Sequence, residues 1–159
     1  FIDEAYTIMA SKGSATSNYP AECIATICKA MELYPNDLII IFAGYTKEMQ
    51  AFLDSNSGIV SRIGYTLEFE DYTEDELVDI FKGMVKKAGF TVEDAAIEKL
   101  RTIINEYKNT KNFGNARFVR NVYEKTIVKH ASNTKNMKSK KKLKTITEED
   151  ISTENLIKQ

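Results

Sequence analysis

Cysteine is scarce, net charge is nearly absent and long apolar runs are missing, and each shortage removes a class of protein. The two cysteines, Cys23 and Cys28, lie five apart in a segment that reads as a helix. That spacing is neither a CxxC redox motif nor half of a zinc site. So few thiols suit a reducing compartment, and a cytoplasmic location is expected. A formal net charge of −1 gives no long-range pull toward nucleic acid or a membrane surface. The longest apolar run, residues 38–43, is strand-sized, far from the roughly 18 consecutive residues a membrane helix needs. The single histidine, His130, closes a helical pattern and reads as a cap compatible with the helix dipole. No Ser-His-Asp or Cys-His arrangement is present, and there are no internal repeats. What is there is 43% apolar and 28% charged, the composition of a folded globular protein. The 159 residues suffice for one ordinary domain, or for a partial core with a small companion. There is no initiator methionine, and Phe1-Ile2-Asp3 opens inside a hydrophobic element. Position 1 is therefore expected to be a cut, and a cut chain cannot display a signal peptide.

The pattern changes near residue 71. Before it, residues 37–42 (DLIIIF) are apolar and rich in β-branched side chains without alternation, as in a strand buried on both faces of a parallel sheet. Phe1-Ile2 reads as the end of another such strand, and residues 65–69 (YTLEF) alternate as a third, weaker one. Residues 21–33 carry Ile24, Ile27, Cys28 and Met31 at helical spacing, residues 47–53 read as a short helix and residues 55–58 as a turn. After Tyr72 the chain reads as all-helical. Thr73 and Glu76 form a capping box, followed by a stripe of Leu77, Ile80, Phe81, Met84 and Val85. Gly89 ends that helix. Thr91 is expected to cap the next, whose stripe is Ala96, Leu100, Ile103, Ile104 and Tyr107. A polar loop over residues 108–114 leads to a third helix with Phe118, Val119, Val122, Tyr123 and Ile127 inward. A lysine-rich stretch, residues 135–144, reads as a solvated loop, with phosphate or an acidic partner as the alternative. Thr147 then caps a short last helix. The expected fold class is α/β: an incomplete, mostly parallel sheet with helices over residues 1–71, then a small all-helical domain over 72–159.

Chemistry concentrates at the end of the first strand. Two apolar residues followed by Asp3-Glu4 match what metal-assisted nucleotide hydrolysis requires. One carboxylate, Asp3, holds Mg²⁺ or its waters, and the second, Glu4, orients and activates the attacking water. The alternative is an acidic helix start with Asp3 as its cap.

Taken in order, the segments resemble the AAA+ ATPases. Residues 1–6 (FIDEAY) resemble the Walker B strand, 38–45 (LIIIFAGY) the next strand with its sensor-1 tip, and 55–63 (SNSGIVSRI) the stretch presenting an arginine finger. Residues 113–121 (FGNARFVRN) resemble the sensor-2 helix of the lid, and 146–151 (ITEEDI) its closing helix. FIDEAY, the AGY tip, SGxxSRI and GNAR-x-VRN are similar to the CbbX-like rubisco activases and the stage V sporulation protein K ATPases. The resemblance covers residues 1–133.

It implies that Arg62 reaches into a neighbouring subunit's site as the finger, and that Arg117 contacts the phosphates of its own subunit. Arg120, one turn on, is able to exchange roles with Arg117, and a lid–core ion pair is the alternative for both. Sensor 1 departs from the pattern. Many relatives place Asn or Thr at the strand tip, whereas here it is Gly44-Tyr45-Thr46. Thr46 is the weakly assigned water contact, with a packed turn as the equal alternative. The resemblance also implies ATP and Mg²⁺ as cofactors, a ring (a hexamer) of copies, and remodelling of a protein client, with no membrane and no nucleic-acid role. A pore loop is placed at residues 10–19. Two rival readings are a clamp-loader or helicase-loader acting on DNA, and a non-catalytic interaction domain.

The phosphate-binding GxxxxGK[ST] loop that AAA+ proteins carry upstream of Walker B does not occur in residues 1–159. The isolated chain is thus expected to bind Mg-ATP weakly and not to turn it over. The resemblance also implies a missing central strand, which leaves buried-type edges open. Repair by altered strand pairing, dimerisation or strand exchange is expected.

Overall fold

A computed structural model describes residues 1–9, 19–110, 113–135, 137, 139 and 142–153. Residues 10–18 of the expected pore loop, and 136, 138, 140 and 141 of the lysine-rich stretch, lie outside the described residues. The chain divides into two compact units, Phe1–Phe69 and Glu70–Gln159. The architecture is an incomplete parallel sheet with helices, followed by a small helical domain, which is the α/β class expected.

Among the described residues of the first unit, sheet formation is reduced to one parallel bridge between Ile2 and Phe42. The Ile2 N–H donates to the Ile41 carbonyl at 2.8 Å, and the Ala43 N–H to the Ile2 carbonyl at 2.9 Å. A 3-10 helix, Ala5–Met9, follows. Among the described residues three helices complete the unit: α1 (Tyr19–Leu33), α2 (Thr46–Asp54) and α3 (Ser57–Val60). Where residues 55–58 read as a turn, the chain makes the single turn of α3. Asn56 ends α2 by donating from its amide to the Phe52 carbonyl at 2.7 Å, and its own carbonyl accepts from Ile59 and Val60 to start α3. Ile24, Phe52 and Ile59 form the small core, with Tyr6, Phe42, Met49 and Ile63 partly buried against it.

Neither the strand expected over residues 37–42, buried on both faces, nor the alternating one expected over 65–69 forms as a strand among the described residues. Ile39 is 86% exposed, and Tyr65, Leu67 and Phe69 are 93%, 81% and 90% exposed. A strand of this composition is covered only when neighbours pair with it on both sides and helices pack on it. Here residues 38–43 have one partner, and residues 65–69 have none of the ladder bonds of a strand. Repair by altered pairing within the chain does not occur among the described residues.

The second unit is built from α4 (Glu74–Lys87), α5 (Asp94–Lys108) and α6 (Ala116–Thr134). The Thr73–Glu76 capping box closes the start of α4 as expected. Its end is a Schellman arrangement: Gly89 takes φ 80°, its N–H donates to Lys86, and the Phe90 N–H reaches the Val85 carbonyl. Thr91 does not cap α5. Glu93 holds the N-cap position without a side-chain cap bond, and Thr91 instead enters a two-residue strand, β1 (Thr91–Val92), paired in parallel with β2 (Thr145–Ile146). Leu77, Phe81, Val85, Leu100, Ile104, Val119 and Val122 form a continuous core that Ile146 and Ile151 complete. Thr147 and Asp150 cap a final 3-10 turn, Glu148–Asp150.

His130 is not a helix-end cap, because α6 continues to Thr134. It is 3% exposed, with Nδ1 at 2.8 Å from an Asp150 carboxylate oxygen and Nε2 at 3.1 Å from the Leu143 carbonyl. No helix among the described residues is long and apolar enough to cross a membrane.

Candidate functional site

The Ile2–Phe42 bridge sets two chain reversals side by side. Asp3-Glu4 follow one partner and Gly44-Tyr45-Thr46 the other, and the Ala5 N–H donates to the Ala43 carbonyl at 3.0 Å just past the bridge. Asp3 and Glu4 are both exposed. Asp3 Oδ1 accepts from the Glu4 N–H at 3.0 Å, which closes a tight turn. Glu4 takes φ 47°, a left-handed conformation uncommon for a residue with a Cβ and found disproportionately at working sites. Asp3 therefore does accept a local cap-like hydrogen bond, while Glu4 presents its carboxylate to solvent.

The tip opposite is shaped by a close approach. A Cβ on Gly44 would lie 2.8 Å from Tyr6 Cε1 and 2.9 Å from Met49 Cγ and Sδ, so the position tolerates no side chain without displacing both neighbours. Tyr45 is the N-cap residue of α2 without a side-chain cap bond, and its ring centroid lies 6.5 Å from that of Tyr6. Partial burial, and next the Glu4 carboxylate, push the Tyr6 phenol above its ordinary pKa. Thr46 is exposed in the first turn of α2. Asp3, Glu4 and Thr46 are thus brought to the same end of one pair of segments. Tyr6 belongs with them by position, and only its place next to FIDEA marked it in the sequence.

Arg62 is held elsewhere in the same unit. Its guanidinium pairs with Glu32 at the end of α1, and Nη1 donates to the Gly58 carbonyl at 2.7 Å and to Ser61 Oγ at 3.2 Å. The hydrogen bond to Glu32 pushes its pKa above the ordinary arginine value. Its Nε is buried without a hydrogen-bond partner. Glu32 is a residue the sequence did not single out, since no motif contains it and its partner lies thirty positions away.

In the second unit, Arg117 and Arg120 are exposed on the first turns of α6. Neither makes an ion pair within its own unit among the described residues. Asn115, just before them, takes φ 47° and bonds back to Asp71 and Tyr72.

Among the described residues no group of three His, Cys, Asp or Glu side chains converges to cage a metal. One exposed hard carboxylate at Asp3 instead suits Mg²⁺, which keeps several waters and is held by one or two carboxylates together with substrate phosphates. The donor set fits that ion.

Residues 73–158 match the family model described as the AAA lid domain. The chain is 36% identical over 162 residues to the chloroplastic ribulose bisphosphate carboxylase/oxygenase activase of Cyanidioschyzon merolae, over 96% of this chain and 52% of that protein. It is 33% identical over 162 residues to protein CbbX of Cereibacter sphaeroides, over 99% of this chain and 52% of that protein. Against stage V sporulation protein K of Bacillus subtilis it is 38% identical over 130 residues, covering 80% and 39%. The chain spans about half the length of the first two of these relatives.

Proposed function

This chain belongs to the AAA+ family, in its CbbX-like branch, and from that premise we propose that it forms the Walker B-to-lid half of an ATP hydrolase. Residues 1–71 are the partial core and residues 72–159 the lid. The single observation that carries the reading is the turn at Asp3-Glu4, with Glu4 in a left-handed conformation, set by parallel pairing beside the Gly44–Thr46 tip.

In this reading Asp3 holds Mg²⁺ through water, and Glu4 accepts a proton from the attacking water. Thr46 supplies a hydroxyl able to donate to that water or accept from it. Bound Mg²⁺ would neutralise charge developing on the phosphate oxygens. Arg62 acts on the nucleotide of the adjacent subunit in a ring, a hexamer. Its pair with Glu32 is a storage position, half-exposed and cheap to exchange, because exposed ion pairs contribute only about 0–1 kcal/mol. Arg117 takes the role of contact to the phosphates of its own subunit's nucleotide, and Arg120, one turn on, is able to exchange roles with it. The work done is remodelling of a protein client in the cytoplasm. A DNA-loading role is disfavoured by the near-neutral charge and by the names of the relatives above. With no GxxxxGK[ST] loop in residues 1–159, these residues alone bind Mg-ATP weakly and do not hydrolyse it. Tight ATP binding by the 159-residue chain alone would sink that.

Steady-state ATP hydrolysis by a longer protein that includes the upstream core tests the assignment. Glu4→Gln should bind ATP and lose about 10²–10⁴ in turnover, the usual contribution of a positioned base. Equal turnover in both proteins reduces Asp3-Glu4 to a structural cap and brings forward the non-catalytic interaction domain.

A further inference from the structure

Asn115 takes φ 47° and ψ −123°, the first central position of a type II′ turn. Glycine dominates that position, because a Cβ is crowded there. Gly114, one residue earlier, is not among the positive-φ glycines. The strained position thus carries a side chain while the neighbouring glycine does not use its freedom. A purely conformational demand at 115 would be met better by glycine, so the carboxamide has its own task.

That task is visible in its two bonds. Nδ2 donates to Asp71 Oδ1 at 2.7 Å, and Oδ1 accepts from the Tyr72 N–H at 3.1 Å. Asp71 and Tyr72 directly precede Thr73, the cap of α4, at the start of the second compact unit. On the other side, the Asn115 carbonyl accepts from the Val119 N–H at 3.2 Å and so begins α6, while Gly114 accepts from the Arg117 N–H at 2.8 Å. One side chain therefore fixes the entering segment to the first turn of the helix that carries Arg117 and Arg120.

We infer that Asn115 is a positioning residue, whose carboxamide couples Asp71-Tyr72 to the arginine-bearing turn of α6. It acts through the arginines and touches no nucleotide itself. The inference rests on the proposed role of those arginines as phosphate contacts.

Asn115→Gly suits the backbone conformation and removes the side chain with both its hydrogen bonds, so folding is preserved. In the 159-residue chain, hydrogen exchange of the Tyr72 amide should quicken about tenfold, as expected when a hydrogen bond of ordinary net strength is lost. In the longer protein the same variant should bind ATP about fivefold more weakly, by the same loss. Asp71→Asn with Asn115→Asp exchanges donor and acceptor, keeps both bonds, and should recover both readouts relative to Asn115→Asp alone. Asn115→Gly with wild-type Tyr72 exchange, or a double exchange no better than Asn115→Asp, overturns the inference. Arg117→Ala with Arg120→Ala separates the two layers. Unchanged ATP affinity there overturns the arginine roles, and with them this inference. Weakened affinity there, with Asn115→Gly unaffected, overturns the Asn115 role alone.

Discussion

The helical unit hides its apolar side chains, and the strand-bearing unit displays them. Leu77, Phe81, Leu100, Ile104 and Val119 are wholly covered, whereas Ile39, Tyr65, Leu67 and Phe69 stand in solvent. Both stretches are rich in large hydrophobic residues, so composition does not separate them. What separates them is where the partners lie. Helices α4, α5 and α6 follow one another and cover each other's stripes. A parallel strand instead needs neighbours from distant parts of a chain. Of the candidate site residues, Asp3, Glu4, Thr46 and Arg62 lie on the less complete scaffold, and Arg117 and Arg120 on the complete one. The contrast can be broken or sharpened by substitution.

The largest effect is expected for function. Arg62→Ala in the longer protein should lower ATP turnover by about 10³ or more, the range seen for trans-acting arginines. Stability should fall by only about 1–2 kcal/mol, because the Glu32 partner is well exposed and the main further loss is the hydrogen bond to the Gly58 carbonyl. Near-wild-type turnover would leave Arg62 as no more than Glu32's partner. Next comes packing. Phe81→Ala should cost about 3–5 kcal/mol in urea unfolding of the helical unit. Phe52→Ala, in the smaller core where most neighbours are only partly buried, should fall at or below the low end. A greater cost at Phe52 would reverse the comparison.

Smaller is the contribution of Asp150. Burial pushes its carboxyl up, but the Thr147 backbone N–H, His130 and Asn133 together outweigh that and hold it below the usual carboxylate value. A lowered folded pKa stabilises above the unfolded value and is lost as pH falls through the folded one. Asp150→Asn should therefore cost about 1–3 kcal/mol near neutrality, and its deficit should shrink below pH about 4. A deficit independent of pH would contradict the sign. Least affected is the open face: Tyr65→Ser and Phe69→Ser should each change stability of the 159-residue chain by less than about 0.5 kcal/mol. They should also weaken any self-association seen by sedimentation, since exposed apolar edges recruit partners. A large loss of stability would mean that this face is covered in solution.

What was legible in the sequence follows the reach of each interaction. The Thr73–Glu76 box and the Gly89 stop are decided within a few residues, and the sequence displayed both. The stripes of α4 and α5 needed only helical spacing. Thr91 was misread as a cap because its real partners, Lys144 and Thr145, lie more than fifty residues away. His130 was misread for the same reason, its partner Asp150 being twenty positions on. Residues 37–42 have the composition of a doubly covered strand, and composition carries no information about whether the cover is present. At the site, Asp3-Glu4 and the Arg62 stretch stood out as motifs. Glu32, and the backbone conformations of Glu4 and Asn115, belong to no motif and emerge only from the folded chain.

The short β1–β2 ladder carries a consequence for how the molecule is made. Ile146 and Ile151 are wholly buried and belong to the same core as α4, α5 and α6. A ribosome adds them after all three helices have been translated. A chain that has freed all three helices from the ribosome but not yet docked Ile146 and Ile151 therefore holds an unsealed seam. Transiently exposed apolar surface of that kind is what aggregates or engages chaperones. The vulnerable interval in the life of this unit runs from the emergence of α6 to the docking of Ile146 and Ile151.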